Sequence, residues 1–600
     1  MRESDFDVLV AVQAAPSASQ RALAEAAGRS LGAVNGALRR LREQGWVEDG
    51  RISVTGLRAL EPYRVRNAVI LAAGLSSRLA PISYEKPKGL LKVRGEVLIE
   101  RQIRQLKEAG VDDVTLVVGY KKEQFFYLED LYGVRIVVNE VYAERNNHSS
   151  LMAVVERLGN TYVCSSDDYF AINPFSAYEW KAFYAAQYAA GETEEWCMGT
   201  GPGRRITSVT VGGADSWYML GHAYFDQAFS RRFSEVLREE YDRPETKGKL
   251  WESLYVDHIG ELDMVMRPYE EGAIREFDTL DELREFDDDF LENVDSDIFD
   301  NIASVLGCRR DEIRDVYPLK QGLTNLSCHF AVGEGEYVYR HPGVGTEELI
   351  DRGSEAAAQA VAKELGLDRT FIFEDEGSGW KLSRFIRGCR TLDADDDEQL
   401  GRAMAMARKL HGAGVEVGNA FDFYEESRRY EGLLGGRSSI DIPGYHAMAE
   451  GVDRLHRHVE ADGGAPCLSH NDFFPLNLLI DPQDSMHLID WEYAGMSDPA
   501  SDFGTFVVCA QLAEGRALDA LRMYLGQDPS PEELRHHLAF VALAGWCWYL
   551  WSLYKESCGE SVGEWLHVYY RYAKDYLAKA LALYEGGAEA LDGGWKGKSR

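Results

Sequence analysis

"NAVILAAGLSSRLAPISYEKPKGLLKV", residues 67–93, holds the change of pattern on which the reading of the fold turns. Ala68 to Leu71 form a short continuous apolar run that predicts a buried strand, and the strand gives way to a loop of small residues that carries Arg78. A lysine pair, Lys86 and Lys88, follows about ten residues later. A loop free of bulky side chains lets backbone N–H groups approach phosphate oxygens, while nearby Arg and Lys offset their charge. Downstream, "LIERQIRQLKEAGVDDVTLVVGYKKEQF" (residues 98–125) predicts a helix, a strand and a Gly-Tyr turn, one step of a doubly wound, mostly parallel sheet.

Around this nucleus, composition sets the bounds. A chain of 600 residues, 45% apolar and 27% charged, has the profile of ordinary globular protein in two to four domains. "MRESDFDVLV" lacks a basic region followed by an apolar stretch and a cleavage site, so no secretory signal is read. Nine cysteines with no CxxC pair suit reduced thiols, and the expected location is cytoplasmic. The apolar run Leu538 to Tyr554 is seventeen residues long, at the lower edge of a bilayer span. It contains "GWCWYLWSLY" (residues 545–554) and is flanked by charged residues, so it reads as a core helix or a box for a cationic ligand rather than a membrane span.

Net charge is -34, yet residues 1–66 carry ten Arg and no Lys against eight Asp plus Glu. An acidic body argues against general nucleic-acid binding and leaves only the head as a place for DNA. "SASQRALAEAAGRSLGAVNGALRRLREQGWV" reads as two amphipathic helices about Gly28, and "WVEDGRISVTGLRAL" as a hairpin turning at Asp49-Gly50 followed by a closing helix. This resembles a winged helix-turn-helix domain. Arg39, Arg40 and Arg42 then serve either as phosphate contacts on a recognition helix or as the solvated face of a domain kept for dimerisation or regulation.

The combination of LAAG, Arg78 and "KPKGLL" is similar to the signature of the nucleotidyltransferases, in the branch of the CTP:phosphocholine cytidylyltransferases, over roughly 220 residues. "AERNNHSSL" and "TYVCSSDDYF" fit that branch. The resemblance implies nucleotide contacts from Ala73, Gly74, Arg78 and Lys88, with Arg78 and Lys88 acting in catalysis through their charge, and Mg²⁺ on Asp167 and Asp278. It points to Trp196, Trp251 and Glu252 for the phosphocholine end. The family loop reads GxGxR, whereas Ser76 stands at the second glycine in "GLSSR". Phosphocholine carries an ionised phosphate, so its attack on the α-phosphorus of CTP needs alignment and positive charge rather than a general base.

After "FDDDFLENVDSDIFDN" a third pattern begins near residue 291. "LSHNDFFPLNLLIDPQDSMHLIDWEYAG" has the spacing H-x-D-x-x-x-x-N followed by Ile-Asp, the layout of protein-kinase-like phosphoryl transfer. Over about 290 residues the pattern resembles choline kinases and their aminoglycoside-phosphotransferase relatives. The resemblance implies Asp472 as base for the substrate hydroxyl, Mg²⁺ on Asn477 and Asp490, and ATP contacts from Gly322, Thr324, Asn325, Arg340 and Glu355. Choline kinases close their pocket with a late W-x-x-W helix, matched here by Trp548 and Trp551, with further rings at Tyr493 and Tyr572. A quaternary ammonium has no N–H, so aromatic faces are its natural recognition device; Trp546 and Tyr549 are left to the core.

The expected chain is therefore multidomain: a winged helix (1–65), an α/β nucleotidyltransferase (66–290), an α+β kinase-like domain (291–590) and a flexible tail (591–600). The expected function is synthesis of CDP-choline from choline, ATP and CTP, with Mg²⁺ at both sites, small-molecule partners, a possible DNA or regulatory partner at residues 1–65, and no membrane. Alternatives are an ethanolamine kinase, a sugar kinase joined to a sugar-1-phosphate nucleotidyltransferase, or a regulator that uses both enzyme domains as sensors.

Overall fold

A computed structural model of the chain describes residues 1–319, 325–343, 352–558 and 561–586. They fall into two compact units, Met1–Pro318 and Leu319–Arg600. Among the described residues, no helix is long and apolar enough to cross a membrane.

The first unit opens with three helices, α1 (Glu3–Ala14), α2 (Gln20–Ala26) and α3 (Leu31–Glu43), packed around Leu9, Val12, Leu23, Val34, Leu38 and Leu41. Ser19 and Ser30 cap α2 and α3 by accepting the amides of Ala22 and Ala33. β1 (Val47–Glu48) and β2 (Arg51–Ile52) pair through Asp49 and Gly50, both at positive φ, which a tight hairpin requires. α4 (Val54–Leu60) closes this head. Its core also takes in Tyr178, while Tyr63 stacks on Trp180 at 4.9 Å and Phe6 lies 5.4 Å from the same ring.

Next come β3 (Asn67–Ala72), α5 (Ile82–Glu85), β4 (Lys92–Val93), β5 (Glu96–Val97), α6 (Leu98–Glu108), β6 (Val114–Val118), α7 (Tyr127–Tyr132), β7 (Arg135–Val138), α8 (His148–Ala153) and β8 (Thr161–Ser165). β9 (Asp168–Phe170), β10 (Phe183–Thr200), β11 (Ile206–Phe225), α9 (Gln227–Tyr241), α10 (Trp251–Asp257), β12 (Val265–Pro268) and β13 (Ile274–Glu276) complete the body. A seven-stranded sheet runs β12-β10-β11-β8-β3-β6-β7. β3 pairs in parallel with β6 and β8, and β6 with β7, so the loop after β3 lies at the carboxyl edge, where open α/β sheets bind ligands. Val69, Ile70 and Val117 are fully buried because helices cover both sheet faces, which is why these strands read as unbroken apolar runs.

The unit ends with α11 (Leu280–Phe286), α12 (Phe290–Asn293), α13 (Asp297–Leu306) and β14 (Ile313–Pro318). α13 and β14 lie beyond the sequence change near 291 yet belong to the first unit, and the start of α13 folds back on α5. The Ser296 hydroxyl and the Ile298 amide both donate to Glu85, and Lys86 pairs with Asp295 at 3.1 Å.

In the second unit β15 (Asn325–Val332), β16 (Gly335–Pro342), α14 (Arg352–Glu364), β17 (Phe371–Glu374) and β18 (Lys381–Arg384) form a small lobe whose antiparallel strands run β15-β16-β18-β17. A larger helical lobe follows, with β19 (Arg390–Thr391), α15 (Asp397–His411), α16 (Phe423–Leu433), α17 (Tyr445–Asp462), β20 (Cys467–Ser469), β21 (Leu478–Ile480), β22 (Met486–Leu488), β23 (Gly495–Ser497), α18 (Ala500–Cys509), α19 (Glu514–Leu525), α20 (Pro531–Ser557) and α21 (Trp565–Glu585). α20 starts at a Ser530/Glu533 capping box with Pro531 in its first turn, and it is buried on almost every side between Leu538 and Ser552. Close approach fixes its neighbours: a Cβ on Gly504 would lie 2.5 Å from Phe540 O, and one on Gly545 2.8 Å from Ala573 N. The apolar run is thus the central helix of a globular lobe.

Candidate active sites

The first site assembles at the ends of β3, β8 and β13. A cleft of about 180 Å³ is lined by Ala73 and Gly74 of the phosphate loop, Lys88, Asn147 and Asp167. Ser76 occupies the left-handed region (φ +51), which accounts for a family preference for glycine there; the serine accepts the strain. Lys88 is ion-paired with Asp167 and lies 3.2 Å from Asp278, and Arg78 reaches the other oxygen of Asp278 at 2.6 Å. Burial works against the Lys88 ammonium, but these two carboxylates raise its pKa above the ordinary lysine value.

Asp167 and Asp278 come together as the sequence predicts, and Glu276 joins them. Carboxylate oxygens of the three lie within 4.8 Å of one another, a hard-oxygen set that fits a magnesium ion. Burial and then Asp167 push Glu276 up to about 8. Glu276, which no sequence motif marks, is the last residue of β13, two before Asp278. Beside it, Asp168 pairs in register with Glu276; its carboxylate is fully buried and neither oxygen has a hydrogen-bond partner.

The residues assigned to phosphocholine divide. Glu252 accepts from Tyr184 Oη at 3.3 Å and from Asn147 Nδ2 at 3.2 Å, and burial lifts it to about 7. Trp251 is 2% exposed, stacked on Tyr184 and packed edge-on against Phe225 and Phe233, so it supports Tyr184 from the core side. Trp196 sits on the outer half of the β10–β11 hairpin opposite Val211, half-buried. Next to it, Glu195 faces Asp278 and Arg78.

The second site lies between the lobes of the second unit. Asp472 accepts from Asn477 Nδ2 at 2.8 Å, and burial, then Asp490 and Glu492, push its carboxyl well above the ordinary range. Asp490 has φ +67 and Asn471 φ +63, conformations these short polar residues tolerate. The loop is held by Asp502, which the sequence reading left unassigned: it accepts the amides of His470 and Asn471, with His411 Nε2 at 2.9 Å on the same carboxylate. A cavity of about 360 Å³ is lined by Val338, Ile386 and Ile489 together with Arg340, Lys381 and Asp490.

Arg340 and Glu355 pair at 2.6 Å in the interior. Arg340 also meets Glu374 at 3.3 Å and Asp490 at 3.4 Å, while Lys381, its cross-strand neighbour, lies 3.3 Å from Glu355. Burial opposes the Glu355 charge, yet Arg340 and Lys381 hold it down at about 2; burial and Glu355 push Glu374 up to about 8. Asn325 donates to Glu492 at 2.9 Å. Gly322 and Thr324 lie outside the described residues.

Aromatic rings gather beside Asp472. Tyr493 meets Trp548 edge-on at 5.2 Å, Phe423 meets Trp548 at 6.0 Å, and Trp551 stands perpendicular to Trp548 at 6.1 Å. Trp546 points the other way, 5.2 Å from Tyr445 in the core. Tyr572 is less direct: its hydroxyl donates to Leu512 O at 3.1 Å and its ring stacks on Tyr576. One turn earlier, Tyr569 is hydrogen-bonded to Cys509 in the field of Asp472.

These geometries meet the comparisons with known proteins. Residues 68–190 match a MobA-like NTP transferase domain, 315–537 the phosphotransferase enzyme family, and 1–48 a winged helix-turn-helix DNA-binding model. The chain is 35% identical over 221 residues to the choline-phosphate cytidylyltransferase of Streptococcus pneumoniae, covering 37% of this chain and 96% of that protein. The chain belongs to the choline-phosphate cytidylyltransferase family. A 2-aminoethylphosphonate cytidylyltransferase of Lancefieldella rimae is equally similar, 35% identical over 232 residues, 38% of this chain and 93% of that protein. The crystal structure of choline kinase LicA from Streptococcus pneumoniae aligns with 47% of this chain and 97% of its own, at 26% identity and a TM-score of 0.41. This cytidylyltransferase is thus joined in one chain to a phosphotransferase and a winged helix.

Proposed function

We propose that the chain makes CDP-choline in two steps: ATP phosphorylates choline in the second unit, and CTP then transfers its cytidylyl group to phosphocholine in the first, releasing pyrophosphate. The observation that carries this reading is the ring cluster of Tyr493, Trp548 and Trp551 beside Asp472, whose aromatic faces suit a trimethylammonium group. Asp472 accepts the choline hydroxyl proton as the oxygen attacks the γ-phosphorus of ATP; Arg340, aligned by Glu355, meets the nucleotide phosphates. In the first unit Arg78 and Lys88 draw the phosphates of CTP against Ala73 and Gly74, and Glu252 with Tyr184 and Trp196 takes the ammonium end; Trp251 backs Tyr184. Asp167, Glu276 and Asp278 would hold Mg²⁺ there, and Asn477 with Asp490 in the second unit, where the ion supplies positive charge for the phosphates.

The similarity to a 2-aminoethylphosphonate cytidylyltransferase raises a second acceptor class. A phosphotransferase makes a P–O bond and cannot make the P–C bond of a phosphonate, so its presence in the same chain favours a phosphate ester. For the head, exposed Arg39 and Arg42 on α3 support contact with DNA phosphates, while Arg40 is already held by Asp5 at 2.9 Å. The deciding experiment is turnover by the purified chain with ATP over choline, ethanolamine and amino sugars, followed by CTP. Choline should be preferred, and CDP-choline should appear only when both nucleotides are present; preference for an amino sugar would overturn the reading.

A further inference from the structure

Two cations line the nucleotide cleft of the first unit, Lys88 and Arg145, and they differ in what already holds them. Lys88 is offset by Asp167 and Asp278. Among the described residues no carboxylate pairs with Arg145. Its Nη1 donates to the carbonyl of Tyr241 at 2.7 Å, and its guanidinium lies 4.4 Å above the Tyr241 ring. Those contacts fix the fork and leave its charge unspent, the condition for binding an anion without reorganisation.

Its place in the cleft narrows which anion. The loop that carries Arg145 is laced to the segment before and within α10: Asn146 Nδ2 donates to Gly248 O, His148 Nδ1 lies 2.7 Å from Lys249 O, and Asn147 both donates to Glu252 and accepts from the Trp251 amide. One edge of the loop therefore faces the phosphate loop of Ala73 and Gly74, and the other runs to Glu252, the carboxylate assigned to the ammonium. A zwitterion with its ammonium toward Glu252 presents its phosphate on the side of Arg145. Behind it, burial and, further, the Arg145 charge lower the pKa of His148 against the opposing hydrogen bond to Lys249 O.

We infer that Arg145 binds the phosphate of the acceptor during cytidylyl transfer, an inference that rests on the reading of this unit as a phosphocholine cytidylyltransferase. In that step an ionised oxygen of phosphocholine forms a bond to the α-phosphorus of CTP, the bond from that phosphorus to the bridging oxygen breaks, and pyrophosphate leaves with the electron pair. No proton moves. Two anions must nevertheless meet, and a cation on the acceptor that is separate from those on the nucleotide lowers the repulsion between them.

The test uses the full chain with Arg145→Met and Arg145→Lys, assayed with phosphocholine and CTP. The Met variant should raise the phosphocholine KM about tenfold or more with the CTP KM within about twofold, and Lys should recover part of the loss. Its choline kinase rate, read in the same sample, should stay at the wild-type value, and an unchanged thermal transition of the first unit reports its folding. An unchanged phosphocholine KM, or an equal rise for CTP, would overturn the assignment and make Arg145 a nucleotide or packing residue. If Met fails to fold, the Lys variant decides by the same split. A wild-type chain that does not consume phosphocholine would instead sink the reading beneath it.

Discussion

Glu252 shows how one carboxylate can set the pH response of a site. Burial raises it to about 7, which brings its ionisation into the neutral range. An ammonium is drawn only to the ionised form. The phosphocholine KM should therefore fall as pH rises from about 6 to about 8, with the CTP KM changing much less, and Glu252→Gln should abolish the slope; a wild-type KM that is flat across this range would remove Glu252 from the ammonium site. The sequence marked Glu252, Asp167 and Asp278 because local motifs carry them. It did not mark Glu276, Asp168 or Tyr184, whose partners are far along the chain and meet only when β9, β10 and β13 take their register. Trp251 illustrates the converse: a tryptophan in a motif position spends its face on Tyr184 and the phenylalanine cluster behind it.

At the level of elements, α20 divides its aromatics by helical phase. Trp548 faces Tyr493 and meets Trp551, three residues on, edge to face, while Trp546 turns to Tyr445. Replacing Trp548 or Trp551 by Leu should raise the choline KM about five- to thirtyfold, since a desolvated cation–π contact is worth roughly 1–2 kcal/mol, and leave the ATP KM nearly unchanged. Trp546→Leu should lower the thermal midpoint with both KM values intact. Equal effects of Trp548→Leu on choline and ATP would make that ring structural. The phase was legible in the sequence because a helix imposes it. The late ring on α21 was not: the "YYRYAKDY" stretch offers several tyrosines, and in the fold Tyr569 lies in the field of Asp472 while Tyr572 donates to Leu512 O. Helix and strand order were readable in both units, but the boundary after Pro318 was not, because the start of α13 is claimed by hydrogen bonds to Glu85, more than two hundred residues earlier.

For the molecule as a whole, two sets of carboxylates in separate compact units predict separable chemistry. Asp472→Ala should lose about a hundredfold or more in choline phosphorylation and leave phosphocholine plus CTP reacting at the wild-type rate. Asp167→Ala should do the reverse. A mixture of the two variants should recover CDP-choline synthesis through free phosphocholine. Loss of both activities in either variant, with its fold intact, would contradict independent sites. The head stands in a different relation to its neighbour: Tyr63 stacks on Trp180, Phe6 lies tilted against both rings, and Tyr178 is part of the head's own core. Recombination joins genes most readily at junctions that cut few contacts. A crossover between the head and the body would expose these rings to water on both products, at a cost in stability to each. A descendant that exchanged its head would have to exchange residues 178 and 180 with it.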